Sequence, residues 1–346
     1  MNPRTKQIAK FLFRMLITAV LLSLVCYQID FQQFKQTVKT GRWEFIILVW
    51  IFSVWLFWLR CLTLKLILSK QSCNVTIRTL FRASAIASLY GMVLPGFISS
   101  GAKWYILKKD TGKGTNVFSS MIYNQLSIVM TAIMCGLGAL ILTNPSAVII
   151  NDAEKQWMFP AICGVLLLVI TIISILLLNH RTGAIVIRIL GFILKIFPAK
   201  LNRKGQEVID QIVTFQSAGW RFHLLIAFIN IAGTFAGGMI IYMLAARGAN
   251  IIIPIWVFMW LWSLIYILGR LPISIANLGV REFTLVGILS IYGVEKSAAL
   301  LMSVILFSGI ILISLIGAIY MIAWSFKTHR KSGSVTCSEE NTPQIP

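Results

Sequence analysis

Met158-Phe159-Pro160-Ala161-Ile162-Cys163-Gly164-Val165-Leu166-Leu167-Leu168-Val169-Ile170-Thr171-Ile172-Ile173-Ser174-Ile175-Leu176-Leu177-Leu178 contains no charged residue. A bilayer span needs about 20 predominantly apolar residues. Backbone groups in hydrocarbon must be paired within the segment or in a closed barrel. Barrel strands are shorter and alternate between lipid-facing and lumen-facing residues, so this run reads as a membrane-crossing helix. Comparable runs lie near residues 11–28, 45–67, 117–142, 222–245, 251–269 and 298–323. Two more apolar segments are interrupted: 79–99 ends just after Leu94-Pro95-Gly96, and 272–293 contains Pro272, Asn277, Gly279, Arg281 and Glu282. The expected fold class is an all-α polytopic integral membrane protein, with about eight transmembrane helices plus one re-entrant or broken helical element. It forms a single transmembrane domain over 1–325, followed by a short, disordered cytoplasmic tail over 326–346.

Composition agrees. Hydrophobic residues make up 58% of the 346 and charged residues 12%, about half the charged fraction of an ordinary soluble domain. The net charge of +20 comes from 31 Lys and Arg against 11 Asp and Glu. These basic residues sit in short gaps between apolar runs. That placement fits positive-inside loops and contact with anionic headgroups, and excludes a nucleic-acid partner. The six cysteines form no CxxC pair and the three histidines are far apart, so no metal and no cofactor is expected. Arg4, Lys6, Lys10 and Arg14 precede the apolar run Met15–Cys26, and no small-x-small cleavage site follows. The reading is an uncleaved first span.

Loop charge sets the topology. Suppose that 79–99 crosses completely. The basic gap 100–116 and the most basic gap, 179–221, then both fall outside, against the positive-inside rule. Suppose instead that 79–99 enters and returns. The basic gaps 60–82, 100–116 and 179–221 then share the cytoplasmic side, while 143–157, with Asp152 and Glu154, lies outside. The second arrangement puts both termini in the cytoplasm and leaves only Lys35, Lys39 and Arg42 misplaced. Within 179–221, the apolar stretch 185–197 carries Arg188 and Lys195 on one face. It reads as a helix lying in the cytoplasmic interface, continued by a polar arm, so that about 180–221 is cytoplasmic.

The chemistry gathers at the two interruptions. In Leu271-Pro272-Ile273-Ser274-Ile275-Ala276-Asn277-Leu278-Gly279-Val280-Arg281-Glu282, Pro272 and Gly279 break regular helix. Arg281 offers a donor fork suited to phosphate. Glu282 is an intramembrane carboxylate, a functional candidate by default, able with Asn277 to orient Arg281 or couple to a proton or cation. The competing reading makes Glu282 the first-turn acid of a helix, favoured by the dipole. In Leu94-Pro95-Gly96-Phe97-Ile98-Ser99-Ser100-Gly101-Ala102-Lys103, Pro95 and Gly96 make a turn. Ser99, Ser100 and Gly101 then present amides and hydroxyls to a phosphate that Lys103 balances; an ordinary basic turn at headgroup level is the alternative. Paired broken segments point to a midplane site in inverted-repeat transporters. Tyr123, Asn124 and Gln125 supply a polar lining near the start of another span, with helix–helix hydrogen bonding as their default role. Gly233 and Gly237 form a Gly-x-x-x-Gly pair for close helix packing.

These two stretches resemble the flippase-like membrane domain of bacterial lysylphosphatidylglycerol synthases and its stand-alone relatives. The shared features are a Leu-Pro-Gly stretch with a Gly-rich turn, and a late Pro-x-Ser-x-x-x-x-Gly-Val-Arg-Glu stretch, here Pro272 to Glu282. The resemblance covers roughly residues 10 to 325. The sequence departs from the pattern twice. Ser99-Ser100-Gly101-Ala102-Lys103 lacks the usual Gly-Gly-Asp, and Asn277-Leu278 stands where glycine is common. With barely 20 residues after the last apolar run, the soluble aminoacyltransferase domain of the full synthases is not expected in this chain.

What the resemblance implies is translocation or handling of a phosphate-containing lipid, a glycerophospholipid or a polyprenyl-linked glycan lipid, across the bacterial inner membrane. Its partners would be anionic-headgroup lipids and a glycosyltransferase or envelope-assembly system. Two alternatives stay open: a membrane-embedded headgroup or glycosyl transferase, and an accessory subunit of envelope assembly. Enzyme activity is the less favoured expectation, since no catalytic motif stands in a credible context.

Overall fold

The computed structural model describes residues 3–27, 29–94, 96–146, 156–178, 215, 218–271, 274 and 277–336. Among the described residues there are eleven helices and no strand. They are α1 (Pro3–Tyr27), α2 (Phe31–Thr40), α3 (Glu44–Lys70), α4 (Ile77–Val93), α5 (Gly96–Thr111) and α6 (Gly114–Thr143), then α7 (Met158–Leu178), α8 (Trp220–Gly248), α9 (Ile255–Leu268), α10 (Val280–Ile291) and α11 (Lys296–Thr336). Helix α8 carries a π-helical stretch at Asn230–Phe235.

Five helices are long and apolar enough to cross a membrane: α3, α6, α7, α8 and α11. Shorter apolar helices lie at Met15–Val25 and Ile255–Leu268. Length and apolarity therefore do not yield the eight full spans expected. Three expected spans fall short: the apolar part of α1 is Met15–Val25, and the second interrupted region pairs two shorter helices, Ile255–Leu268 and Val280–Ile291.

The first hairpin is α4–α5. Leu94 is extended, with φ −102° and ψ 154°, as the residue before a proline is driven to be, and this ends α4. The chain restarts as α5 and runs back alongside it. Arg82, near the start of α4, reaches Asp110, near the end of α5, at 3.5 Å. A Cβ on Gly91 would touch Ser99 at 3.7 Å. Both pairings are symmetric about the Leu94–Gly96 tip. At the base, Lys113 Nζ donates to the Ser72 carbonyl at 3.0 Å and Asn116 Nδ2 to that of Gln71 at 3.2 Å. The base therefore sits at the C-terminal end of α3.

The second hairpin is α9–α10. Its base residues Ile251 and Ile252 line one cavity together with Tyr292, Gly293 and Glu295, covered by Thr37 and Thr40 of α2. Asn250 Nδ2 donates to the Thr40 carbonyl at 2.9 Å and the Arg42 amide to that of Gly248 at 3.0 Å. This base is thus at the N-terminal end of α3. With 27 residues, α3 is about 40 Å long, so the hairpins enter the bundle from opposite ends and point their tips at each other. Each has its own core. Leu80, Ala83, Ile86, Ile106 and Leu107 pack with Cys61, Leu64 and Leu68 of α3 around the first. Leu261, Ile265, Leu285 and Leu289 pack with Ala245, Met302, Ile305 and Val49 of α3 around the second.

Small residues let the layers approach. A Cβ on Gly317 of α11 would lie 2.1 Å from the Ala85 carbonyl oxygen of α4, and one on Gly237 would lie 2.9 Å from Leu56. The close packing expected at Gly233 and Gly237 is present, against Leu59 and Leu56 of α3. Outward faces are apolar: Val165, Leu168 and Ile175 of α7 are 65%, 59% and 61% exposed, the surface that lipid covers.

Three expectations change. Arg60 and Lys65, counted as loop residues, are inside α3, which continues to Lys70. The gap 100–116 is helical to Thr111, so Lys103 and the Ser99-Ser100-Gly101 stretch lie within a hairpin arm, with no Gly-rich turn there. Helix α11 runs on to Thr336, past the point where the tail was expected to begin. The expected interfacial helix at 185–197 lies outside the described residues, as do Pro95 and Pro272.

Candidate functional site

Arg60 on α3 has electrostatic neighbours toward both hairpins. Arg60 interacts electrostatically with Arg270 and Tyr266, just before and at the second tip, and with Cys61 beside it. Cys61 interacts in turn with Lys103 of the first hairpin. Counting from Lys70, Arg60 is roughly 15 Å inside the end of α3. Its Nε is buried and has no hydrogen-bond partner.

The supports are specific. The Arg270 guanidinium lies 4.6 Å from the Tyr266 ring centroid, and Nη2 donates to the Tyr266 hydroxyl at 2.5 Å. Tyr266 stacks on Trp262 at 5.1 Å. Trp262 fits over Gly238 so closely that a Cβ there would lie 2.0 Å from its Nε1. The glycine face of α8 thus sets the ring that sets Arg270.

Carboxylates are elsewhere. Among the described residues, Asp30 caps α2, Glu44 opens α3, Asp110 pairs with Arg82 at the hairpin base, and Glu295 accepts from Ser297. Glu282 is engaged by Arg281. None of them is a partner of Arg60 or Lys103.

The two tips also differ at their returning helices. Helix α10 is closed by its own acid: Glu282 Oε2 accepts from the Gly279 amide at 2.7 Å. Helix α5 has no acidic residue in its first turn, so its amides and positive dipole end face the interior uncompensated by one. Ser99 lies in that turn, with Ser100 and Gly101 following it and exposed.

Arg281 and Glu282 engage each other, the orienting contact that the sequence allowed. Both are buried, at 4% and 5% exposure. Arg281 binds Glu282 directly, donates from Nε to Ser303 Oγ at 2.9 Å, and lies over the Phe307 ring at 5.1 Å. Ser303 Oγ donates to Glu282 Oε1 at 2.9 Å. The closed network ties the returning helix to α11 and shares no partner with Lys103. It matches the alternative reading, an acid at a helix start. Asn277 adopts φ +61° and Gly279 φ +81°. These left-handed positions suit glycine and asparagine, and a Cβ on Gly279 would lie 2.8 Å from that of Leu21.

Tyr123 and Asn124 belong to a second polar seam, between α6 and α8. The Tyr123 hydroxyl and His223 Nδ1 are 2.6 Å apart, and Tyr123 stacks on Phe215 at 4.3 Å. Asn230, fully buried at the start of the π-helical stretch, donates to Ser127 Oγ at 2.7 Å. His223 Nε2, Asn124 Oδ1 and Asn230 Oδ1 are buried without partners. Gln125 is half-buried next to this seam.

Sequence reasoning missed Arg60 and undervalued Arg270. The available signal for Arg60 was the lack of any turn residue between it and Ser69. Among the described residues no cluster of His, Cys, Asp and Glu could hold a metal ion.

A family model described as lysylphosphatidylglycerol synthase TM region matches residues 11–324. Comparison with curated proteins gave no match.

Proposed function

The chain belongs to the lysylphosphatidylglycerol synthase TM region family, and on that premise we propose that it translocates a phosphate-containing lipid across the bacterial inner membrane. The observation that carries this reading is Arg60, roughly 15 Å inside the end of α3, whose buried Nε has no hydrogen-bond partner and whose described electrostatic neighbours, Tyr266, Arg270 and Cys61, include no carboxylate. Uncompensated charge is costly inside a bilayer and marks a substrate path. The first turn of α5, which has no acidic residue, adds a positive dipole end on the same hairpin.

In this reading a headgroup enters along α5, meets Lys103 and Arg60, and passes to Arg270, while its acyl chains stay in lipid. Arg281 and Glu282 position the second hairpin and do not touch the headgroup. The base of the first hairpin, with Lys108, Lys109 and Lys113, faces the cytoplasm, which puts both termini there. Partnership with a glycosyltransferase or another envelope-assembly component fits the same role.

The test is leaflet exchange in vesicles containing the purified protein, with labelled phosphatidylglycerol and a labelled polyprenyl phosphate. Protein-dependent exchange of one of them, reduced at least about tenfold in Arg60→Gln and Arg270→Gln with folding retained, supports the proposal; tenfold corresponds to about 1.4 kcal/mol, a modest value for one charge-assisted contact. Exchange no faster than in protein-free vesicles for both lipids overturns it.

A further inference from the structure

The polar seam between α6 and α8 has a direction and a row of unfilled groups. Tyr123 meets His223 and, further along both helices, Ser127 meets Asn230, so α6 and α8 run parallel from the same end. His223 sits one turn inside the start of α8 at Trp220, which is 68% exposed. Lys70, at the end of α3, lies nearby, with Nζ 6.0 Å from the Phe222 ring centroid. Asn230 is about 10 Å deeper along α8. One turn beyond it, a Cβ on Gly233 would meet Leu59 at 3.6 Å, which brings the inner end of the seam to the depth of Arg60.

Along this line, among the described residues, four buried side-chain atoms lack a partner: Ser120 Oγ and Asn124 Oδ1 on α6, His223 Nε2 and Asn230 Oδ1 on α8. Ser120, His223 and Asn230 are 0%, 6% and 0% exposed. Buried polar atoms are paired with protein or with ordered water, and a buried row of them is where a protein holds water. Asn230 also begins the π-helical stretch, an irregularity that helices carry mostly at functional sites.

Among the described residues of the seam, His223 is the group that ionises near neutral pH. With Nδ1–H donating to the Tyr123 oxygen at 2.6 Å, Nε2 keeps a free lone pair and can take a proton from water without breaking that contact. The elements packed on it contribute Tyr123 from α6, Phe215 from the segment before α8, and Ile67 and Lys70 from α3. Arg221 on α8 itself is exposed, and no carboxylate is a described neighbour. Glu282, held by Arg281 and Ser303, is closed to proton traffic.

On the reading that the chain translocates a lipid phosphate, we infer that the α6–α8 seam is a hydrated proton path from the cytoplasmic end of the bundle to the depth of Arg60, in which His223 takes up and gives up the proton during translocation. The proton comes from cytoplasmic water, adds to Nε2, and returns to water when the ring becomes neutral again. Protonated His223 places a positive charge between the cytoplasm and Arg60 and draws an anionic headgroup inward. Intramembrane histidines in polar rows serve as such relays in pumps and transporters.

The experiment is leaflet exchange in vesicles containing the purified full chain, with labelled phosphatidylglycerol and labelled polyprenyl phosphate, at equal pH on both sides. For a lipid that exchanges, the rate is expected to rise at least about fivefold from roughly pH 8.5 to 5.5, the span across which histidine titrates. His223→Gln should cut that response to within about twofold, whatever its rate at the alkaline end. Comparison with this variant also removes titration of the lipid's own phosphate. Asn124→Leu leaves the Tyr123–His223 contact in place and removes an acceptor for bridging water; it should lose at least about half of the response, and it decides the matter should His223→Gln fail to fold. A histidine that only supports the fold would lower the rate in His223→Gln and leave its pH profile unchanged. An unchanged profile in either folded variant, or a rate in the intact protein that is constant or falls toward acid pH, overturns the proton path and leaves lipid translocation standing. No exchange of either lipid at any pH overturns both.

Discussion

Arg82 and Asp110 meet at 3.5 Å although one lies near the start of α4 and the other near the end of α5. The pair is about one-third exposed on each side and so contributes at most about 1 kcal/mol. Its value is topological, because it fixes α4 and α5 as arms of one hairpin.

Cysteines introduced as Arg82→Cys with Asp110→Cys should be joined efficiently by a short bifunctional thiol reagent. Asp110→Cys and Glu295→Cys should react with an impermeant maleimide from opposite sides of the membrane. Native Cys73 will contribute little background. It is buried, and desolvation pushes its thiol above the usual range, with Lys113 opposing only in part. Labelling of positions 110 and 295 from one side would refute the opposed hairpins.

Removing one member of the Arg281–Glu282 pair should be far worse than removing both. Arg281→Ala leaves a buried carboxylate unpaired and should cost about 3–5 kcal/mol. Arg281→Met combined with Glu282→Gln should recover a large part of that loss, read as thermal unfolding in detergent. Wild-type stability in Arg281→Ala would contradict the closed network.

The turn before α10 should tolerate glycine and reject branched residues. Asn277→Gly should be nearly neutral, whereas Asn277→Val should cost about 1–2 kcal/mol because L-residues other than Asn and Gly resist left-handed backbone. Gly279→Ala should cost more, since its Cβ also meets Leu21 at 2.8 Å. Unfolding midpoints of the three variants, ranked in that order, are the check.

In the seam between α6 and α8, Tyr123→Phe keeps the stack on Phe215 but strands His223 Nδ1, a loss of about 1–3 kcal/mol for a buried polar atom. Adding His223→Leu removes the stranded partner, and the double variant should be more stable than Tyr123→Phe alone. If the double variant is the weaker one, the 2.6 Å contact is not what stabilises the seam.

Much of this architecture was legible because lipid leaves few alternatives. Long uncharged runs gave α3, α6, α7, α8 and α11, and the placement of lysines and arginines pointed to a segment that turns back near Pro95. The second hairpin was harder. No charge contrast marks its base, so Pro272 and Gly279 were compatible with one broken crossing. Arg60 was hidden for a related reason. A charge ends an apolar window, yet a helix continues through it wherever the side chain has a polar space to enter. The sequence allowed Glu282 to orient Arg281, but the third member of that network, Ser303, lies on α11 and no local motif points to it.

The two cores share a single helix. Val49 belongs to one cluster and Leu64 to the other, and the partners of Val49 in α8 to α11 are translated long after α3. During synthesis the half of α3 near Lys70 can therefore mature at once with α4 and α5, while the half near Glu44 is solvated by acyl chains. In lipid this wait costs little, because hydrocarbon covers valine as well as protein does. In water the same face would be an aggregation site, so insertion of α3 must precede assembly of the later half of the chain.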